Sequence, residues 1–266
     1  MILNKLIKKT IDRIVKGDKW ESFDLTVKSD RNDLTVSWSD ADEAAKYVLF
    51  QAGCFGKTGQ PFSKQMFYNE SARWYQNLWN ISNSLGTFKI PDNAKVIDVG
   101  SGIGIIDLLL YSYVPNCKLY LLDKEEFNLK KNIFYKDDYF FYHDWGPTKD
   151  AISTSKFDQD RFTFLNPSDS WPDDVDLIMS HFSWCVHYPK EKYWGKVLQS
   201  LKIGGILHLD VRPISDRDII GEISEDLKSS PKIYPFENSV KSGDIMYDKF
   251  NNSEVIFNRC VWERKK

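Results

Sequence analysis

Residues 96–106 read Val-Ile-Asp-Val-Gly-Ser-Gly-Ile-Gly-Ile-Ile: an apolar, β-branched run, three alternating glycines at 100, 102 and 104, and then the apolar stretch IIDLLLYSYV. The predicted order is strand, turn, helix. Glycines at these spacings allow a sharp turn, let the backbone approach a ligand, and let the helix begin close to the sheet. Position 105 is Ile, so the dinucleotide pattern G-x-G-x-x-G is not met and a nicotinamide cofactor is disfavoured.

Working outward, Asp98 stands two residues before the first glycine, near the strand end, where a carboxylate can accept hydrogen bonds and attract a cationic amine. Asp123 closes the next apolar run, KLYLLD, 19 residues beyond Gly104. A carboxylate there can accept both ribose hydroxyls of a nucleoside held across the switch point of an open sheet. Further runs, RFTFLN, VDLIMS and GGILHLDV, are short and nearly continuously apolar, as suits strands buried on both faces of a parallel sheet. PKIYPF and EVIFNRCVW read as a closing antiparallel pair. The fold class expected is therefore α/β, a Rossmann-like, mostly parallel sheet flanked by helices.

Before residue 94 the pattern differs. DLTVKSD and DLTVSWSD alternate as the strands of a hairpin, and residues 42–53 and 70–86 read as helices, the second closed by Gly86. Residues 1–93 are thus expected to form a helical and hairpin extension, and 94–266 the sheet domain. MILNKLIKKTIDRIVKG is an amphipathic basic segment, read first as a helix packed on its own domain and second as a membrane-surface anchor; charge interrupts it too often for a signal-peptide core.

Composition narrows the function classes. Thirty-six Lys and Arg face 38 Asp and Glu, with 15% aromatics, which excludes a disordered chain and gives no electrostatic case for general nucleic-acid binding. No run approaches the roughly 20 apolar residues of a membrane span. Cys54, Cys117, Cys185 and Cys260 form no Cys-x-x-Cys pair, so they read as reduced residues of a cytoplasmic protein rather than a zinc site or disulfide framework.

The acid, glycine-turn and second-strand acid together resemble the class I S-adenosylmethionine-dependent methyltransferases over about residues 90–266. The family's first motif is matched by Asp98, Gly100, Gly102 and Gly104, and its ribose-binding acid by Asp123. The resemblance implies a seven-stranded sheet and S-adenosyl-L-methionine as cofactor, with Ser101 of the turn and Ser180 at the end of VDLIMS as further contacts. Either Asn166 or Asp169 is the candidate for the adenine amino group. IMSHFSWCVHYPKEKYW and FYNESARWYQNLWNIS look, more loosely, like sugar O-methyltransferases of bacteria and phages, which implies a hydroxyl acceptor, a saccharide first among them.

Methyl transfer to oxygen is an in-line displacement, so orientation dominates and a base must remove the hydroxyl proton. Histidine suits that task. His187 is the first candidate and His181 the second, both just past the fourth strand of the sheet domain; a structural loop histidine is the alternative for each. His208 reads as a core histidine. Asp210 and Arg212, at the end of GGILHLDV, either orient the acceptor or form a salt bridge. His181, His187 and Asp210 are metal-ligand types, but no metal site is expected.

The segment from Lys124 to Asp160 is long for a crossover and holds FYKDDYFFYHDWGP, read as a lid or an accessory hairpin, followed by a helix in KDAISTSKFDQD. Aromatics concentrate in 67–79, 134–145 and 182–194, which makes Trp145, Trp184 and Tyr188 candidates for an acceptor wall. Asn69 and Glu70 are candidate contacts on the cofactor's methionine side, or a helix N-cap with an acid at the dipole. The competing functions are transfer to nitrogen, on a small molecule or nucleic acid, and a catalytically silent cofactor-binding module. SHFSW stands where amino-directed DNA methyltransferases carry Asn/Asp-Pro-Pro-aromatic, which argues against DNA.

Overall fold

The computed structural model describes residues 23–27, 34–39, 90–124, 126–128, 141–143, 145–181, 183–185, 188–211, 218–237 and 256–266. The expected helices of 42–53 and 70–86, and the N-terminal amphipathic segment, lie outside them.

The decisive stretch folds as its glycines demand. Strand β3 (Lys95–Val99) is buried from Val96 onward, and helix α1 (Ile105–Tyr113) starts directly behind Gly104. Strands β4 (Lys118–Leu122), β7 (Phe162–Leu165), β8 (Val175–Ser180), β9 (Leu201–Val211), β10 (Lys232–Glu237) and β11 (Ile256–Glu263) join β3 in one sheet. Its spatial order is β10-β11-β9-β8-β3-β4-β7. Strand β11 pairs antiparallel with both neighbours, and the other recorded pairings are parallel. This is the Rossmann-like, mostly parallel seven-stranded sheet expected, with the closing antiparallel pair in place.

Helices cover both faces, and period-two alternation divides the strand residues between two cores. On one side Val96, Leu119, Leu121, Leu177 and Met179 pack against Leu108, Leu109 and Leu110 of α1 and Ala151 and Ile152 of α2 (Gly146–Thr154). On the other, Ile97, Val99, Leu122, Ile178, Leu207 and Leu209 meet α3 (Glu191–Ser200) and α4 (Ile219–Leu227). Each such Leu or Ile contributes about 1.5–3 kcal/mol by leaving water.

Strands β1 (Phe23–Val27) and β2 (Leu34–Trp38) form the expected hairpin. Val36 and Trp38 are fully buried in the same core as α1. The Ser37 N–H donates to Ser155 Oγ at 2.9 Å and the Ser39 N–H to Asp150 Oδ2 at 2.8 Å, which fasten β2 to the C-terminal half of α2 and the residue after it.

Within the insertion, β5 (Glu126–Asn128) and β6 (Phe141–His143) pair antiparallel, so the accessory hairpin is present immediately past β4. The helix expected at 149–160 begins earlier, with Pro147 in its first turn, a position that needs no backbone donor. It ends before Lys156, whose φ of 57° cannot continue it. The remaining residues, Gln159–Arg161, make a single 3-10 turn. Strand β9 starts at Leu201, three residues ahead of the expected GGILHLDV.

Candidate functional site

Strand β3 is the point where the sheet changes direction: the chain leaves it for β4 on one side and later returns to β8 on the other. Ligands of open α/β sheets bind outside the carboxyl ends of the strands at such a point. The glycine turn occupies it. Gly100, Gly102 and Gly104 all have positive φ, between 56° and 79°. A Cβ on Gly100 would fall 1.9 Å from Ser183 Oγ, and one on Gly104 would fall 2.5 Å from Leu121 Cδ2. Gly100 therefore lets the segment after β8 close onto the turn, and Gly104 lets α1 sit tight on β4.

The turn is tied to the end of β4. The Gly100 and Ser101 N–H groups donate to Leu122 O at 2.7 and 3.3 Å, and the Gly102 N–H donates to Asp123 Oδ2 at 2.9 Å. Asp123 Oδ1 accepts from the Lys124 N–H at 2.7 Å. Each oxygen of this half-buried carboxylate thus has one backbone donor and a further lone-pair direction to offer. A carboxylate fixed so is suited to two adjacent hydroxyls.

Beside Asp123, whose own N–H donates to Leu165 O, residues 166–169 form a turn. The Asn166 N–H donates to Asp169 Oδ2 at 2.8 Å and the Asp169 N–H to Asn166 O at 3.0 Å. Lys196 of α3 pins this turn by donating to Pro167 O and Asp169 O at 2.9 and 2.7 Å. Trp171 and Tyr193 stack beneath it with centroids 5.9 Å apart. Burial first, then Tyr188 and Asp123, push the Tyr193 phenol above its ordinary range. Lys196, Trp171 and Tyr193 were not legible as site residues, since only the packing of α3 against the turn unites them.

Ser180 is fully occupied. Its Oγ donates to Val99 O at 2.7 Å and accepts the Trp184 N–H at 2.9 Å, which clamps the end of β8 to β3 and starts the following loop. Trp184 is buried against Tyr193 and Trp194, with its Nε1 donating to Pro189 O and Lys190 O. Trp145 is buried against Phe164. The structure places both indoles in the cores rather than on an open wall. Tyr188 is partly exposed, with Lys192 Nζ 3.6 Å from its ring centroid.

His181 follows Ser180 and turns onto the α1 side of the sheet. Its ring meets His208 of β9 edge-on, with centroids 4.7 Å apart at 84°. Both His181 ring nitrogens are buried and have no hydrogen-bond partner among the described residues. Next along β9, Asp210 is paired directly across the ladder with Arg259 of β11. The guanidinium binds it twice, Nε to Oδ1 at 2.6 Å and NH2 to Oδ2 at 3.0 Å, with both side chains buried. Of the two readings of Asp210, the salt bridge is therefore the one made, with Arg259 as partner. Burial, and then the Arg259 charge, lower His181 well below its ordinary pKa; His208 is lowered by burial, His181 and Arg259, against Asp210. Both imidazoles are neutral at physiological pH.

His187, Arg212, Asn69 and Glu70 lie outside the described residues. Among those described, no three ligand-type side chains converge as a metal site, no helix is long and apolar enough to cross a membrane, and Cys117, Cys185 and Cys260 are buried.

No protein-family model matches the sequence, and no curated protein is a significant match. Among solved structures the chain is similar to an rRNA methylase from Streptococcus thermophilus, at 12% identity and a TM-score of 0.43, over 70% of this chain and 95% of that one. A precorrin-6y C5,15-methyltransferase from Geobacter metallireducens matches at 14% and 0.41, over 68% and 87%. An N-methyltransferase of Haemonchus contortus, in complex with phosphomonomethylethanolamine and S-adenosylhomocysteine, matches at 13% and 0.47, over 73% and 53%. At these identities the likeness concerns the fold.

Proposed function

We propose that the protein is an S-adenosyl-L-methionine-dependent methyltransferase acting on a hydroxyl of a small acceptor, with a saccharide as the favoured class. The observation that carries this is the Gly102–Asp123 bond at the switch point, which couples the glycine turn to a carboxylate suited to a ribose diol. The donor set fits the cofactor on other grounds. The three positive-φ glycines leave positions 100, 102 and 104 of the turn without side chains, and Ser101 Oγ and Asp98 Oδ1 are buried polar atoms without partners among the described residues. Asp123 would hold the ribose, the Asn166–Asp169 turn the adenine, and the glycine turn the methionine end.

When bound, the cofactor supplies an electrophilic methyl group on a sulfonium. The chain's task is to exclude water, orient the acceptor oxygen in line, and take its proton. Of the two candidate bases, His181 is the one that lies among the described residues, next to Ser180 at the end of β8 and packed on His208. A neutral imidazole is in the proton-accepting form. Its lowered pKa makes it a weak base, but an oxygen that is acquiring a methyl group becomes strongly acidic, so a weak base suffices late in the displacement.

The test is a labelled-cofactor transfer screen across sugars, nucleotide sugars, polyamines and nucleic acids, combined with calorimetric binding of the cofactor to wild type and Asp123→Ala. Transfer to a sugar hydroxyl, and a large loss of affinity in the variant, is expected. Transfer to nitrogen or to nucleic acid only would replace the acceptor assignment. Binding without transfer would favour the silent module, and equal affinity in both proteins would remove Asp123 from the ribose.

A further inference from the structure

Two carboxyl groups lie under the glycine turn, and among the described residues no cation balances them. Asp98 is the penultimate residue of β3 and is 3% exposed; Asp107, in the first turn of α1, is fully buried. Each acts on the other: a hydrogen bond from Asp107 pulls the Asp98 pKa down, and the Asp98 charge raises that of Asp107. Asp98 Oδ1 and both Asp107 oxygens have no donor among the described residues, and the buried hydroxyls of Ser101 and Thr148 are likewise unpaired. Two ionised carboxylates in contact away from water repel strongly, so the contact requires a proton between them.

We propose that Asp107 is a positioning residue of the cofactor site: it keeps its proton, donates it to Asp98, and leaves Asp98 as the carboxyl beneath the turn that exchanges a proton when a cationic ligand arrives. The proposal rests on reading the site as one for S-adenosylmethionine, whose amino-acid end carries an ammonium. The surroundings divide the roles in this way. Asp107 is buried and faces the Asp98 charge, both of which hold its proton on. Asp98 is raised by burial to about 7, with the Asp107 hydrogen bond pulling it down and Asp123 of β4 pushing it up. Cys117, at the foot of β4, faces Asp107 as a thiol pushed up to about 12 by burial and by that carboxyl. From α2 the neighbouring group is Thr148, which does not ionise. A positive ligand above the turn then converts the Asp98 carboxylic acid to carboxylate, and the proton leaves to solvent. With Asp98 raised to about 7, binding at pH 6.5 releases more protons than binding at pH 8.5.

The experiment is calorimetric titration of the holo-competent full chain with S-adenosylhomocysteine, in two buffers of different ionisation enthalpy, at pH 6.5 and 8.5. Wild type is expected to show a larger buffer-dependent heat at pH 6.5 than at pH 8.5. Asp98→Asn is expected to bind with no proton release. Asp107→Asn retains the release, because its amide donates where the acid did, and Asp107→Leu, which lacks the donor, carries the release up to pH 8.5. Binding of wild type without proton release at pH 6.5, or release that survives Asp98→Asn, overturns the proposal while leaving the cofactor reading intact. Failure of wild type to bind overturns both. The two-buffer titration of wild type decides the matter even if a variant does not fold.

Discussion

Arg259→Met leaves Asp210 ionisable at a position with no exposure. The lost partner is not a surface charge: it supplies two hydrogen bonds at 2.6 and 3.0 Å from a guanidinium that is itself 2% exposed. Breaking such a pair from one side destabilises by about 3–5 kcal/mol, because the remaining charge stays desolvated. For a chain of this size each kcal/mol moves the melting temperature by about 2–4 °C, so a fall of roughly 6–20 °C is expected. The companion variant Asp210→Leu/Arg259→Met removes both charges and fills the space with apolar groups, and is expected to recover most of the loss. Urea unfolding of wild type, both single variants and the double variant closes the cycle. A second readout follows from the charge: without Arg259 one of the causes that lower His181 and His208 is gone, and both rings titrate at higher pH by NMR. A single variant within about 1 kcal/mol of wild type, or a double variant no better than either single, would refute the reasoning about burial.

Other outcomes follow from the same geometry. Gly104→Ala places a side chain at φ 64° and a methyl 2.5 Å from Leu121 Cδ2, so a loss of about 2–4 kcal/mol is expected by thermal melting; an unchanged melting temperature would deny the close packing of α1 on β4. Because the Asp98 pKa is raised in the folded chain, from 3.8 to about 7, its contribution to stability is complete below about pH 4 and is lost as pH rises through about 7. Urea midpoints at pH 5 and pH 8 should therefore lie closer together in Asp98→Asn than in wild type, the remaining difference belonging to Asp107, which is raised as well, and an undiminished pH dependence would assign it to other groups. His181→Ala or His187→Ala should lose turnover at saturating acceptor while keeping cofactor affinity, and retention of turnover in both places the base elsewhere.

What the sequence discloses is whatever a short segment decides for itself. The Asp98-to-Gly104 turn and Asp123 were readable because strand, glycine and helix follow one another within a few residues, and the central strands β3, β4 and β8 were readable because burial on both faces leaves an apolar run. Arg259 was not readable as the partner of Asp210: they are 49 residues apart, and only the β9–β11 register brings them opposite. Nothing in the sequence sets Asp107 apart from any other first-turn helix acid, and only the packing of α1 buries it. Trp145 and Trp184 of the aromatic windows turn inward for a related reason. An indole is equally at home in a core and on a binding wall, and composition does not say which face Trp145 or Trp184 turns to.

The fastening of β2 to α2 sets a timetable for synthesis. Ser37 and Ser155 are 118 residues apart, so at roughly 5–20 residues per second the ribosome needs about 6–24 s between making the first and making the second. Val36 and Trp38 have neither helix to cover them until α1 is made and lack α2 until the end of that interval, and a lone two-stranded hairpin is marginal in water. The nascent chain therefore presents an apolar, strand-forming segment for seconds before its docking surface exists. That makes this early-made part of the core among the last to be committed, and it makes the strand that carries Val36 and Trp38 the natural place for a chaperone to hold on.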